Sequence, residues 1–243
     1  MAVPTLPLDA STAGTRESGR FSVVFDDVWI SFGDVDVLKG VSFKLPFGET
    51  KALFGVAGSG KSTILKLALG LLKPHSGRVV ALGEDVDKIS KDELFQLRGR
   101  IGMVFQESAL FDSLTVSENV AFRLTEEHGI YDDAIDQRVR ESLRFVELEH
   151  TVDLSPSELS GGMRRRVAIA RAIINEPKIL LADEPTGNLD SKNSEIVLQM
   201  LRQLNKELGQ TVVMITHNPE ATTYFDRVVH MRDGVIVDGV PAD

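Results

Sequence analysis

The chain has 243 residues, a net charge of −9 and no cysteine, with 42% hydrophobic and 26% charged residues. That length can bury a full core, and the mix is that of an ordinary folded domain. The acidic total argues against a nucleic-acid binder, which needs a basic surface to neutralise phosphates, and the absence of cysteine excludes disulfides, thiolate metal sites and thiol nucleophiles.

Residues 1–20 are rich in Ser, Thr, Pro and Gly without periodicity and are expected to form a disordered tail. They lack a basic start followed by an apolar run, so no secretory signal is expected. From Phe21 the pattern changes. Phe21, Val23 and Phe25 alternate, Val28 and Ile30 follow, and Val41, Phe43 and Leu45 alternate again, which predicts strands of a small antiparallel sheet. Between them Phe32-Gly33-Asp34 reads as a turn that presents an aromatic ring, although a half-buried packing Phe fits the composition equally well.

The apolar Ala52-Leu53-Phe54 leads into Gly55-Val56-Ala57-Gly58-Ser59-Gly60-Lys61-Ser62, a full match to the pattern G-x-x-x-x-G-K-[ST]. Small residues at 58–60 let successive backbone N–H groups turn inward on a phosphate chain. Lys61 supplies a charge for the β- and γ-phosphates, and Ser62 a hydroxyl for magnesium. Helical apolar spacing through Ile64, Leu67, Ala68 and Leu71 follows, so the anion would sit at a helix N-terminus. The longest greasy stretch, Ile64 to Leu72, is broken by Lys66 and falls far short of the ~20 residues of a membrane span. If the protein works at a membrane, other subunits must cross it.

A strand is predicted over Gly77 to Leu82, then a short helix opened by a capping box of Ser90 and Glu93, then a strand over Arg100 to Phe105 that ends at Gln106. From about 107 to 162 the character is that of an inserted helical subdomain. Thr115 and Glu118 make a second capping box, and Ile135, Val139, Leu143 and Val146 share one helical face. The turn Ser155-Pro156-Ser157 closes this segment.

Ser160 is placed to cap the next helix, and the paired Gly161 and Gly162 leave its first N–H groups open to an anion. Arg164, Arg165 and Arg166 follow, read either as a solvated basic face or as a contact to a partner or phosphate. Ile179 to Ala182 suits a buried parallel strand that delivers Asp183 and Glu184 at its tip. Beside a phosphate loop, Asp183 would hold Mg²⁺ and Glu184 would polarise the attacking water. A helix ended by Gly209 and a strand over Val212 to Ile215 then bring His217 to the same crevice. His75, His128, His150 and His230 have no comparable setting. The last strands turn around Arg232-Asp233-Gly234.

Taken in order, the phosphate loop, Gln106, Leu159-Ser160-Gly161-Gly162, the strand ending in Asp183-Glu184, Leu189-Asp190 and His217 resemble the motifs of an ABC-type ATPase subunit over roughly residues 21–240. The resemblance implies an α/β fold: a P-loop NTPase (RecA-like) core with a parallel sheet, a small antiparallel β-subdomain and the inserted helices. It implies ATP and Mg²⁺ as ligands. Gly55, Gly58, Ser59, Gly60, Lys61, Ser62 and Thr63 would bind nucleotide, Phe32 would stack on adenine, and Ser62, Gln106 and Asp183 would serve the metal. Glu184, His217 and Gln106 would be catalytic.

By the same resemblance Ser160, Gly161, Gly162 and Asp190 would act in trans, on ATP held by the facing subunit of a homodimer. Transmembrane permease subunits would be the other partners, with the chain cytoplasmic and peripheral on the inner face of the membrane and no nucleic acid involved. Met163 and the run Gln106 to Val116 look like the ATPases of Mce-type (Mla-like) phospholipid transporters, which implies a lipid-binding Mce-type protein as a further partner. The turn Glu184 to Asp190 is instead similar to lipoprotein-release and macrolide-export ATPases. A soluble ABC ATPase acting on nucleic acid or ribosomes, and a small-molecule P-loop kinase, are the readings from other classes. The first would carry a coiled coil or a second phosphate loop, and the second leaves Ser160-Gly161-Gly162 and His217 unexplained.

Overall fold

The computed structural model describes residues 20–237, the side chain of His128 excepted, so the tail expected over residues 1–20 lies, but for Arg20, outside the described residues. Two sheets form. Strands β1 (Phe21–Phe32) and β2 (Val35–Pro46) pair antiparallel across a two-residue turn, and β1 also pairs antiparallel with β4 (Ser76–Ala81), which carries β5 (Glu84–Asp85) at its edge. The two stretches of alternation read separately at Phe21–Phe25 and Val28–Ile30 are one strand, bent where its register shifts between Phe25 and Val28.

The second sheet has the order β10-β9-β3-β8-β7-β6. Its members β3 (Thr50–Phe54), β6 (Ile101–Val104), β7 (Ile179–Asp183), β8 (Thr211–Thr216) and β9 (Arg227–Arg232) run parallel, and β10 (Val235–Val237) folds back antiparallel on β9. The apolar runs of β7 and β8 follow from burial on both faces. Ile179, Leu181, Val213 and Ile215 join one core with α1 (Lys61–Ala68) and the antiparallel sheet. Their neighbours Leu180, Ala182, Val212 and Met214 join a second core under the helices of the opposite face.

Those helices begin where the sequence marks them. Helix α2 (Lys91–Gly99) and α3 (Val116–His128) open with reciprocal capping boxes, Ser90 with Glu93 and Thr115 with Glu118. Helix α4 (Asp133–Phe145) turns Ile135, Val139 and Leu143 inward, and the turn at Ser155 is a short 3₁₀ segment, Pro156–Glu158, with a capping pair of its own. Helix α5 (Gly161–Ile173) starts at Ser160, α6 (Ser191–Leu208) runs from Asp190 to a left-handed Gly209, and the short α7 (Pro219–Thr222) follows β8. The apolar faces of α3 and α4 share one cluster with those of α5 and α6. Among the described residues no helix is long and apolar enough to cross a membrane.

The loop after Gln106 is held by a buried amide. Asn119 accepts from the Phe111 N–H at 2.8 Å and donates to the carbonyls of Phe111, Leu114 and Thr115 at 3.0, 3.1 and 2.9 Å. Replacing it by leucine strands these backbone groups, so Asn119→Leu is expected to lower unfolding stability by on the order of 3 kcal/mol. Urea unfolding of the full chain checks this, and a change below ~1 kcal/mol would contradict the clamp.

Candidate functional site

The four parallel strands β3, β8, β7 and β6 are neighbours, so their C-terminal tips lie along one edge. At the tip of β3 the loop Gly55–Gly60 turns into α1 through left-handed glycines, Gly58 at φ 81° and Gly60 at φ 96°. At Gly60 the space is closed as well: a Cβ would stand 2.6 Å from Leu38 Cδ2 and 2.9 Å from the Val37 carbonyl. Lys61 is buried, and its ammonium donates to the carbonyls of Gly55 at 2.7 Å and Val56 at 2.8 Å, with Ser59 Oγ at 3.4 Å. Burial pushes its pKa down, against the opposing pull of the Glu184 and Asp183 carboxylates.

At the tip of β7, Asp183 Oδ1 accepts from the Ser62 hydroxyl at 3.1 Å. Burial raises the Asp183 pKa above the usual carboxylate range; the Ser62 hydrogen bond works against this and the nearby Glu184 adds to it. Glu184 itself sits in the left-handed region at φ 47°, which ends the strand sharply, and its N–H donates to the Ile215 carbonyl of β8 at 3.1 Å. Its Oε2 lies 2.9 Å from His217 Nδ1, the first residue past β8. Phe32, Val37, Gly58, Gly60, Lys61, Ser62, Thr63, Gln106, Glu184 and His217 line one cleft of about 480 Å³. Phe32 is half exposed there, a ring presented and not a core residue.

The donor set suits a triphosphate with a hard cation. Among the described residues no cluster of three or more His, Cys, Asp or Glu could hold a metal alone. One hydroxyl and one carboxylate, Ser62 and Asp183, fit an ion that takes its remaining oxygens from phosphate and water, as Mg²⁺ does.

Not every expected residue meets the cleft. Gly55 and Ser59 lie under it as partners of Lys61, and Asp183 reaches it through Ser62. Ser160, Gly161, Gly162 and Asp190 do not line it and form a second locus. There Ser160 Oγ accepts from the Met163 N–H at 3.2 Å, leaving its own hydrogen to donate. Asp190 accepts from Asn193 N at 2.8 Å and Asn193 Nδ2 at 2.6 Å, bonds that hold its pKa below the ordinary value. Gly162 packs on that asparagine so closely that a Cβ would meet Asn193 Oδ1 at 2.3 Å.

The three arginines divide: Arg164 is exposed, as a solvated basic face expects, Arg166 is half-buried and Arg165 is buried, which corrects that reading for Arg165. They turn back onto the chain's own carbonyls: Arg164 on Pro156 at 3.4 Å, Arg165 on Phe105 at 2.7 Å and Gly187 at 3.3 Å, and Arg166 on Val146 at 3.1 Å. The signal for Arg165 was present, because it shares a helical face with Ile169 and Ala172, which are buried. Asn119 and Asn193 carried no comparable pattern.

A glycine-lysine loop between strand and helix, an Asp-Glu pair on a nearby parallel strand and a histidine on the strand between them define a P-loop nucleoside triphosphatase. Within that class, the family model described as ABC transporter matches residues 38–187, and the chain belongs to this family as an ABC-type ATPase domain. It is 43% identical over 207 residues to the methionine import ATP-binding protein MetN of Geobacillus kaustophilus, covering 85% of this chain and 60% of that protein. It is 43% identical over 205 residues to the macrolide export ATP-binding/permease protein MacB of Syntrophobacter fumaroxidans, with 84% and 29% covered. With the lipoprotein-releasing system ATP-binding protein LolD 1 of Rhodopseudomonas palustris it shares 41% over 205 residues, 84% of this chain and 90% of that one. The chain thus spans three fifths of the first relative and under a third of the second. Its fold matches a dimeric post-hydrolysis structure of the ATP-binding cassette MJ0796 bound to ADP and Pi, with a TM-score of 0.81, 37% identity and 88% and 96% of the two chains covered.

A raised Asp183 pKa means that folding disfavours its charged form, so this group's contribution to stability is greatest when it is protonated and falls as pH rises through its folded pKa. Asp183→Asn is therefore expected to melt no lower than the wild type at neutral pH without nucleotide, and to lose that advantage in acid. A lower melting temperature of the variant at neutral pH would contradict the burial argument.

Proposed function

We propose that the chain hydrolyses MgATP as the motor subunit of an ABC transporter, in a two-fold dimer, with the membrane crossed by separate permease subunits. The observation that carries this is the convergence on one cleft of Lys61, the Ser62–Asp183 pair and the Glu184–His217 pair. Phe32 stacks on the adenine, and the loop N–H groups with Lys61 hold the phosphates. Ser62 and Asp183, with Gln106 nearby, would hold Mg²⁺, which offsets phosphate charge when bound. Glu184 accepts a proton from the attacking water as its oxygen bonds to the γ-phosphorus and the bond to the β-phosphate oxygen breaks, releasing ADP and phosphate. His217 steadies that carboxylate through Nδ1 and contacts the γ-phosphate.

The second locus completes the site from the other copy. Ser160 and the free N–H groups at the start of α5 form an anion-binding helix tip outside their own chain's cleft. Two chains related by a two-fold axis then place each tip on the partner's ATP, with Asp190 at the seam. The dimeric state of MJ0796 with ADP and Pi supports this arrangement.

For the cargo we favour phospholipid, through membrane subunits and an Mce-type lipid carrier, on the similarity of residues 106–116 to such ATPases. Within that run Leu110 packs on the core, while Phe111 stays 44% exposed, its ring tilted against that of Phe122 with centroids 4.6 Å apart, and we assign Phe111 to meet a coupling helix of the membrane subunits. Phe122 in turn lines a groove of about 590 Å³ on α3 with Tyr131 and Leu114. Release of lipoproteins is the second reading, favoured by the turn Glu184 to Asp190 and by the relative LolD 1. Either places the chain on the cytoplasmic face of the membrane. We divide it into a tail at 1–20 and one ATPase domain, with the helices at 107–162 as an insertion.

Glu184→Gln is expected to bind MgATP with near-normal affinity, lose turnover by ~10²–10⁴-fold and accumulate as an ATP-bound dimer, read by light scattering. Normal hydrolysis by this variant would remove Glu184 from its role. In the complex with its membrane subunits, Phe111→Asp should keep the basal rate of the isolated chain and lose most stimulation, and full stimulation would move the docking site elsewhere.

A further inference from the structure

Gln106 is not held by its own side chain: among the described residues its amide makes no hydrogen bond. Its position rests on the backbone around it, and that backbone is gripped from one helix. On the N-terminal side Arg165 Nη1 donates to the Phe105 carbonyl at 2.7 Å. On the C-terminal side Arg171 donates to the carbonyls of Ser108 at 2.7 Å and Ala109 at 2.6 Å, both residues in the left-handed region. Both arginines belong to α5, the helix whose first turn is Ser160-Gly161-Gly162.

Arg165 reaches further. Its Nη2 donates to the Gly187 carbonyl at 3.3 Å, midway between Glu184 and Asp190. Within that loop the backbone makes two local turns, Gly187 N to the Glu184 carbonyl at 3.0 Å and Leu189 N to the Thr186 carbonyl at 3.3 Å. Arg165 is 4% exposed, has no carboxylate in hydrogen-bond range among the described residues, and leaves its Nε without a partner there. Burial lowers its pKa, with Glu107 opposing. A buried cation with a spare donor is a poor way to stabilise a fold, since an apolar side chain of the same volume would serve as well. It is a good way to hold two carbonyls from separate loops at fixed separation, because the planar fork directs its donors rigidly.

We propose that Arg165 is a positioning residue for hydrolysis, a fork that locks the Gln106 loop and the 184–190 loop to the signature helix, so that ATP gripped by that helix tip in the dimer sets where Gln106 stands in its own cleft. The inference rests on the proposed hydrolytic function. It assigns Arg165 a task that the motif reading did not, and it explains why the residue faces inward between two arginines that clasp only the helical region.

The test is steady-state ATPase kinetics of the full chain. Arg165→Met is expected to lower kcat by about 10- to 100-fold with KM for ATP within about threefold, because the nucleotide pocket itself is untouched. Arg165→Lys keeps the charge but cannot fork to two carbonyls, and should recover only part of the loss. Arg166→Met, which frees one carbonyl at Val146, should keep kcat within about twofold and so serves as the stability control. If Arg165 acts through Gln106, adding Arg165→Met to Gln106→Ala lowers kcat little further. Wild-type kcat in Arg165→Met, losses that multiply with Gln106→Ala, or an equal loss in Arg166→Met would each overturn the proposal. If Arg165→Met fails to fold, Arg165→Lys decides: reduced kcat supports the fork and wild-type kcat refutes it. No ATPase activity in the wild type would instead defeat the hydrolytic function itself.

Discussion

Everything at the site depends on parallel strands that are buried on both faces and must end along one edge. Strands β3, β8, β7 and β6 are packed by apolar residues above and below, so the polar groups of the cleft gather just where they stop. Those four ends carry the phosphate loop, Thr216-His217, Asp183-Glu184 and Phe105-Gln106. The register pairs Phe54 with Thr216, Ile215 with Asp183 and Ala182 with Val104, which brings the tips level within a residue or so. The cleft is a consequence of that register, and its chemistry follows from what the chain places just beyond each strand.

The groups gathered there are strained or poorly solvated. Lys61 is buried against carbonyls, Asp183 is held where ionisation is disfavoured, and Glu184 occupies a backbone region that non-glycine residues rarely adopt. In the proposed function a triphosphate with its cation would relieve the first two, giving Lys61 an anion and Asp183 a positive neighbour. On that reading nucleotide binding would tighten the site and its loss after hydrolysis would loosen it.

Most of the site was legible in the amino-acid sequence because its residues sit at element boundaries, where local chemistry is strongest. Gly58 and Gly60 announce a turn, Ser90, Thr115 and Ser160 announce helix starts, and the apolar run before Asp183 announces a buried strand. What could not be read was long-range and backbone-directed. The carbonyls that Arg165 grips lie 60 and 22 residues away, and no pattern near Arg165 names them. Asn119 reads as an ordinary helical polar residue, yet it closes the loop that precedes its own helix. The one local clue, an arginine in phase with the buried face of α5, was outweighed by the neighbouring arginines that suggested a charged surface.

The central claim is that each ATP is clasped between the loop of one chain and the helix tip of another. A chain without native cysteine allows this to be measured without background. One preparation would carry Ala57→Cys and a second Gly161→Cys, both at exposed positions, mixed in a Glu184→Gln background with a short bifunctional thiol reagent. The account predicts a mixed cross-linked dimer that forms with MgATP and is absent without nucleotide. Cross-linking that is equal with and without MgATP, or none under either condition in a chain that binds ATP, would contradict it.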